Sequence, residues 1–289
     1  MLQGFVDRQI ETEGASIHAS IGGDGPPLLL LHGYPQTNAM WHKIAPRLAQ
    51  RFTVVATDLR GYGRSDKPTG GAGHINYSKR SMGLDQLQVM KSLGFDRFQL
   101  VGHDRGGRVA HRMALDFPEA IERIAVLDIA PTETMYALSD KRFATAYYHW
   151  YFLIQPFDLP EKLIGHDPEF YLRRTLKAWS RVPEAFSEPV IAEYLHWFQQ
   201  PDTIHANCED YRAAATIDLE HDADDAGRMI QQPLLVLWGQ LGVVGQLFDV
   251  LDSWREKATC LEGFALPCGH FLPEEAPDLT FDHLNAFLK

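Results

Sequence analysis

Val101-Gly102-His103-Asp104-Arg105-Gly106-Gly107-Arg108 is the stretch on which the reading of this chain turns. Glycines 102 and 106 bracket position 104 in the G-x-Nuc-x-G spacing of a nucleophile elbow, with aspartate where serine is usual. Arg97 to Val101 reads as a buried strand, and Arg108 to Phe117 reads as a helix. Strand, tight turn and helix are the context that gives the motif its meaning. A carboxylate at position 104 is unsuited to serine-type acyl transfer. It can attack a saturated carbon, displace a leaving group and become an ester. Aspartate also favours helix N-caps, and that reading would suit Asp104 alone; the glycine frame at 102, 106 and 107 favours the nucleophile.

Outward from the elbow, strand and helix signals alternate. Phe5 to Glu11 and Ser16 to Ile21 alternate apolar and polar residues, as a half-buried hairpin does. Pro27 to Leu31 and Phe52 to Thr57 are apolar runs of the kind found in central parallel strands. Ala39 to Ala49 and Tyr77 to Leu93 show helical spacing, the second stopping near Gly94. Ile121 to Leu127 is a further strand. From about Glu133 to Asp225 the segments are aromatic-rich and helical, and the β/α rhythm returns at Leu234 to Trp238. A helix over Gly245 to Lys257, a strand near Thr259 to Ala265 and a helix over Pro277 to Phe287 complete the chain. This pattern predicts an α/β fold with a mostly parallel central sheet flanked by helices and a helical insertion after the sixth strand. The corresponding division is a core of residues 1–132 and 226–289 and a helical cap of residues 133–225.

The 289 residues are 45% hydrophobic, enough for one large core with an inserted subdomain. A net charge of −11 argues against sequence-blind nucleic-acid binding, so an anionic substrate needs a local cationic pocket. Cys208, Cys260 and Cys268 show no CxxC spacing and read as buried free thiols, consistent with a reducing cytosol. Met1 to Ile10 carries Asp7 and Arg8 and no signal-type apolar stretch, and no window approaches a membrane span. The expectation is a soluble cytoplasmic protein without membrane or nucleic-acid partners.

Six pieces of sequence together carry a resemblance. They are HGYPQT at His32 to Thr37, DLRGYGRSDKP at Asp58 to Pro68, GHDRGGR at Gly102 to Arg108, YHW at Tyr148 to Trp150, CEDYRAA at Cys208 to Ala214 and CGHFLPEEAP at Cys268 to Pro277. The chain resembles the α/β-hydrolases over essentially its whole length, and within them the haloacetate (fluoroacetate) dehalogenases. The resemblance implies hydrolysis of short 2-haloacids to 2-hydroxyacids through an aspartyl ester, with a small anionic haloacid and water as partners, and a homodimer.

Arg105 and Arg108 lie at i, i+3 in the first turn after the elbow, where cations are disfavoured by roughly 0.3–1 kcal/mol each and repel one another. A bound anion would offset both, and a guanidinium fork suits a carboxylate. The resemblance assigns the pair to the substrate carboxylate; for either arginine singly, a salt bridge to a nearby acid would be the ordinary reading. Arg112 extends the stripe and reads as structural. His270, in Gly269-His270-Phe271, stands where this fold delivers its base and is assigned to activating water against the ester. The segment Gly239 to Val244 after the late strand contains no acid, and Asp249 lies too far into the next helix. Asp128, just past the sixth strand, is the alternative position, and the resemblance also points to it as the acid that orients His270, with a turn-capping role as its other reading.

By the resemblance, His149, Trp150 and Tyr211 receive the halide. Each offers a neutral polar hydrogen, though without the match such a cluster reads as packing. Backbone amides of Tyr34 and Arg105 are assigned to the oxyanion, and Trp179 to closing the pocket. Tyr34 departs from the phenylalanine usual in the HG-aromatic-P pattern, which bears on pocket polarity. Asp58 to Asp66 reads as a turn network supporting the elbow, because it lacks the lysine and spacing of a phosphate loop. No histidine–carboxylate cluster has metal-ligand spacing, so neither metal nor organic cofactor is expected. Two competing functions use the same residues. One is an epoxide hydrolase with Tyr147, Tyr148 or Tyr211 as proton donors, disfavoured by the paired arginines. The other is a non-catalytic receptor for a small acid, disfavoured by the presence of both Asp104 and His270.

Overall fold

The computed structural model describes residues 2–182 and 184–289. Eight strands form one sheet: β1 (Val6–Glu11), β2 (Ser16–Gly22), β3 (Pro27–Leu31), β4 (Thr53–Thr57), β5 (Phe98–His103), β6 (Ile121–Leu127), β7 (Leu234–Gly239) and β8 (Leu261–Leu266), in the order β1-β2-β4-β3-β5-β6-β7-β8. From β4 to β8 every pairing is parallel, and β2 runs antiparallel to both β1 and β4. Leu28 to Leu31, Leu100 to Val101, Ile124 to Leu127 and Leu234 to Leu237 are buried on both faces, which is why these strands read as unbroken apolar runs. The edges differ. β1 is largely exposed, with Val6 at 63%, and the buried half of the expected hairpin belongs to β2 alone.

Between β6 and β7 the described residues form helices, from Thr132–Ala137 to Ile217–Asp224, with no strand among them. Two expected helices are broken. Ala39 to Ala49 divides into a 3₁₀ turn, Asn38–Trp41, and a short helix, Ala45–Leu48. Pro46 lacks the N–H needed to continue the first and suits the opening of the second. Gly245 to Lys257 divides into Val243–Leu247 and Val250–Arg255, because the Asp249 carboxylate accepts the Asp252 amide at 3.0 Å and caps a new helix. The helix after the elbow begins at Arg105, earlier than expected. The thiols also need correction: Cys208 and Cys268 are buried, but Cys260 is exposed, since it precedes the outermost strand β8.

The run Asp58 to Asp66 is a turn network, as its composition suggests. The buried Asp58 carboxylate accepts the Asn38 amide at 2.8 Å and the Arg64 amide at 3.0 Å, and meets His18 Nδ1 at 3.0 Å. His32 Nε2 accepts the Leu59 amide at 3.0 Å. These bonds tie the β3 and β4 ends together beneath the elbow. Among the described residues no helix is long and apolar enough to cross a membrane.

Candidate active site

Asp104 sits between β5 and the helix Arg105–Asp116 with φ +46°, a left-handed conformation that costs a side-chain-bearing residue about 1–3 kcal/mol. The glycine frame permits this turn. A Cβ at Gly102 would lie 2.3 Å from the Gly106 carbonyl, and one at Gly106 would lie 2.3 Å from the His32 carbonyl. Asp104 occupies the N-cap position yet caps nothing; its Oδ2 accepts the Tyr34 amide at 3.0 Å. Burial opposes its charge, but His270, Arg108, His103 and Arg105 outweigh it and hold the carboxyl below the ordinary aspartate range. Asp104 is therefore a buried, ionised carboxylate with one oxygen already facing a backbone donor. No hydrogen bond joins it to the Arg105 amide among the described residues.

Asp128 follows β6, also in the left-handed region (φ +52°), and its Oδ1 accepts the Gly239 amide at 2.8 Å. Its Oδ2 lies 2.6 Å from His270 Nδ1. His270 is only 3% exposed, and its Nε2 has no partner among the described residues. Burial lowers the affinity of this imidazole for a proton, but Asp128 and then Asp104 more than reverse that, leaving its pKa above the usual 6.5. Glu275 and His103, given no role in the sequence reading, and the carbonyl of Trp179 hold the His270 loop. The Glu275 carboxylate accepts the amides of Gly269 (2.9 Å), Phe271 (2.8 Å) and Arg181 (2.7 Å). His103 Nε2 lies 2.8 Å from the His270 carbonyl, and the His270 amide donates to the Trp179 carbonyl at 3.1 Å. The Glu275 bonds to Gly269 and Phe271 are local, whereas the Glu275 bond to Arg181 and the His270 bonds to His103 and Trp179 join separate elements and leave no trace in sequence periodicity.

The two arginines have different surroundings. Arg105 is fully buried. Its Nε and Nη2 bond the Asp210 carboxylate at 2.8 and 2.7 Å, and Nη2 also bonds the Asp210 carbonyl at 2.8 Å. Asp210 further accepts the Tyr62 hydroxyl at 2.6 Å and the Lys79 ammonium. The anion that offsets Arg105 is thus built into the protein, a partner the motif alone did not reveal, and only Nη1 is left without one. Arg108 is 4% exposed and makes no salt bridge to a carboxylate among the described residues. Its Nη1 donates to the Ala130 carbonyl (3.1 Å) and the Thr132 hydroxyl (2.9 Å), while Nε is unpartnered. Burial and the neighbouring Arg105 pull its pKa below the usual arginine value. Arg112 is structural, paired with Asp116 at 2.8 Å and with Asp225.

Around these groups stands a wall of aromatic side chains. His149 lies 4.4 Å from Trp179, 5.5 Å from Tyr211 and 6.3 Å from Tyr34, ring centre to ring centre. Trp179 also lies 5.3 Å from His270. Burial drives the His149 pKa well below 6.5, so its imidazole is neutral, and its Nδ1 has no partner. The Arg105 guanidinium stacks 4.2 Å over Tyr211. Trp150 joins the site through Arg108, whose guanidinium lies 4.8 Å over the indole, and packs against Tyr136 and Phe143. Among the described residues no group of three or more His, Cys, Asp or Glu could hold a metal ion.

Sheet order, elbow and the loop carrying His270 define an alpha/beta hydrolase. The model of the alpha/beta hydrolase fold matches residues 26–277, and the chain belongs to that family. It is 46% identical over 289 residues to the fluoroacetate dehalogenase of a Burkholderia sp, covering 100% of this chain and 95% of that protein. It is also 35% identical over 280 residues to the soluble epoxide hydrolase of Corynebacterium sp. (strain C12), covering 95% of this chain and 94% of that protein. The crystal structure of ALR0039 from Nostoc sp PCC 7120 superimposes with a TM-score of 0.99 at 57% identity, covering 100% of this chain and 99% of that one.

Proposed function

We propose that this hydrolase converts short 2-haloacids, fluoroacetate among them, to 2-hydroxyacids. The observation that carries the reading is Arg108, a buried guanidinium without a carboxylate partner, one helical turn from the ionised Asp104. The Asp104 carboxylate compensates Arg108 through space but loses its charge on becoming an ester, and a substrate carboxylate keeps the buried cation paired through that step. Arg105 Nη1 and Arg108 hold that carboxylate, which sets the α-carbon before Asp104. Asp104 attacks, the carbon–halogen bond breaks, and the halide leaves among the hydrogens of His149, Trp150 and Tyr211. Donors fixed where negative charge grows are worth most in a buried site. His270, held by Asp128, then takes a proton from water, and the hydroxide attacks the Asp104 ester while the Tyr34 amide stabilises the oxyanion. Similarity to the Burkholderia dehalogenase supports this reading. The test is to incubate the purified protein with fluoroacetate and chloroacetate and to measure free halide and glycolate. Release of neither overturns it.

The pH profile has a definite sign. Only neutral His270 can activate water, so turnover is present above its pKa and is lost as pH falls through it. Asp128 raises that pKa and so moves the acid limb upward, while Asp104, uncharged once esterified, no longer contributes at this step. The first displacement needs no base. Below the limb, a single equivalent of halide is released and the reaction stops, visible as a burst in rapid-quench assays.

Asp210 gives a stability prediction. Asp210→Asn leaves Arg105 and Lys79 buried without their shared carboxylate, and removing one member of a buried pair costs roughly 3–5 kcal/mol. Urea unfolding should show a loss of that size; an unchanged midpoint would mean that Arg105 does not depend on this partner.

A further inference from the structure

The geometry points to a second substrate class for this site: short 2,3-epoxycarboxylates, hydrolysed to 2,3-dihydroxycarboxylates. The inference rests on the haloacid reading, since it uses the same carboxylate clamp, nucleophile and base. Displacement of halide and opening of an oxirane are one event at the α-carbon, and they differ in the leaving group. Halide leaves as a stable anion. The ring oxygen leaves as an alkoxide and needs a proton. A dehalogenating site gains the second reaction when a neutral acid stands where the leaving atom goes.

Tyr211, which the proposed function sets among the donors to the departing halide, is the acid assigned to that place. It is 1% exposed, packed edge-on to Tyr34 at 5.3 Å and to His149 at 5.5 Å. Burial and the Asp104 charge raise its pKa well above the usual 10, so it rests protonated. Arg105 stacked 4.2 Å over the ring favours the phenolate when it forms. His149 is a neutral imidazole that can donate a second hydrogen bond to the same oxygen. The hydroxyl of Tyr147 is 3.5 Å from His270 Nδ1, on the atom already bonded to Asp128, and belongs with the base. A neutral epoxide would leave Arg108 without its anion; an epoxide carrying a carboxylate would not.

The step balances. Asp104 bonds the α-carbon, the ring C–O bond breaks, and its electron pair stays on the ring oxygen, which takes the Tyr211 proton. His270 next takes a proton from water. The hydroxide bonds the Asp104 carboxyl carbon, the ester's acyl C–O bond breaks, and the departing alkoxide takes the proton from His270. The proton left on Asp104 returns to the Tyr211 phenolate. Epoxide plus water gives diol with no net proton, whereas a haloacid releases halide and a proton.

The experiment gives the purified protein racemic sodium oxirane-2-carboxylate, with chloroacetate in parallel and Asp104→Asn as background. Glycerate is read by mass spectrometry and proton release by pH-stat. Glycerate formed above background without acid release is the expected result. Chloroacetate turnover with no glycerate, or an Asp104 adduct of the epoxyacid that never hydrolyses, overturns the inference and leaves the haloacid reading standing. Failure with both substrates removes the haloacid reading as well. Methyloxirane should be turned over at least about 100-fold less efficiently; equal rates would refute the role of the arginines. Tyr211→Phe should lower epoxyacid turnover about 100-fold more than bromoacetate turnover, because bromide departs without a proton. Parallel losses would refute Tyr211 as the acid.

Discussion

Asp104→Asn abolishes turnover of every haloacid, with an expected loss on the order of 10⁴-fold or more. The carboxamide is uncharged and far less nucleophilic, and no other described group occupies the elbow. The exchange keeps the side-chain volume and leaves an oxygen that can accept the Tyr34 amide, so the turn at φ +46° is retained. It also removes the carboxylate that faces Arg108, His270 and Arg105, which should tighten binding of the substrate carboxylate while eliminating chemistry. Chloride release in steady state, circular dichroism and calorimetric binding of acetate test the three parts together. Retained turnover in a folded variant would displace Asp104 from the mechanism.

His270→Asn separates the two half-reactions. Displacement by Asp104 does not require the base, so the variant should release about one equivalent of halide per site and then stall. The product is a carboxymethyl ester on Asp104, detectable as an added mass on the peptide containing Gly102 to Arg108. General-base loss lowers steady-state turnover by roughly 10²–10⁴-fold. Slow residual hydrolysis should persist, because the Tyr34 amide proposed to stabilise the oxyanion is untouched. Full inactivity with no adduct would place His270 in the first step or outside the reaction. Asp128→Asn should give the same behaviour with a comparable loss, because an amide in place of the carboxylate 2.6 Å from His270 Nδ1 favours the wrong tautomer and no longer raises the imidazole pKa.

Much of this site is legible in the sequence. The elbow is local in sequence: the strand to Val101, the glycines at 102, 106 and 107 and the helix beyond them are adjacent in the chain, although the carbonyls that Gly106 must clear belong to the end of β3. Parallel strands buried on both faces announce themselves as apolar runs, so β3 to β7 were legible too. What the chain alone could not reveal was what each polar side chain faces. Arg105 and Arg108 look equivalent at i, i+3, yet Asp210 from a distant helix pairs with one of them alone. His103 and the Trp179 carbonyl hold His270 through bonds between separate elements, and no spacing encodes these.

Backbone chirality, glycine sterics and hydrophobic periodicity act over a few residues, and for that reason the sequence by itself determined the parallel sheet, the position of Asp104 on its turn and the segments that supply its neighbours. Burial, dielectric and charge pairing act through space. Only the tertiary structure decided that Asp104 is ionised although buried, that His270 is both held and made basic by Asp128, and that Arg108 is the guanidinium without a carboxylate in salt-bridge contact.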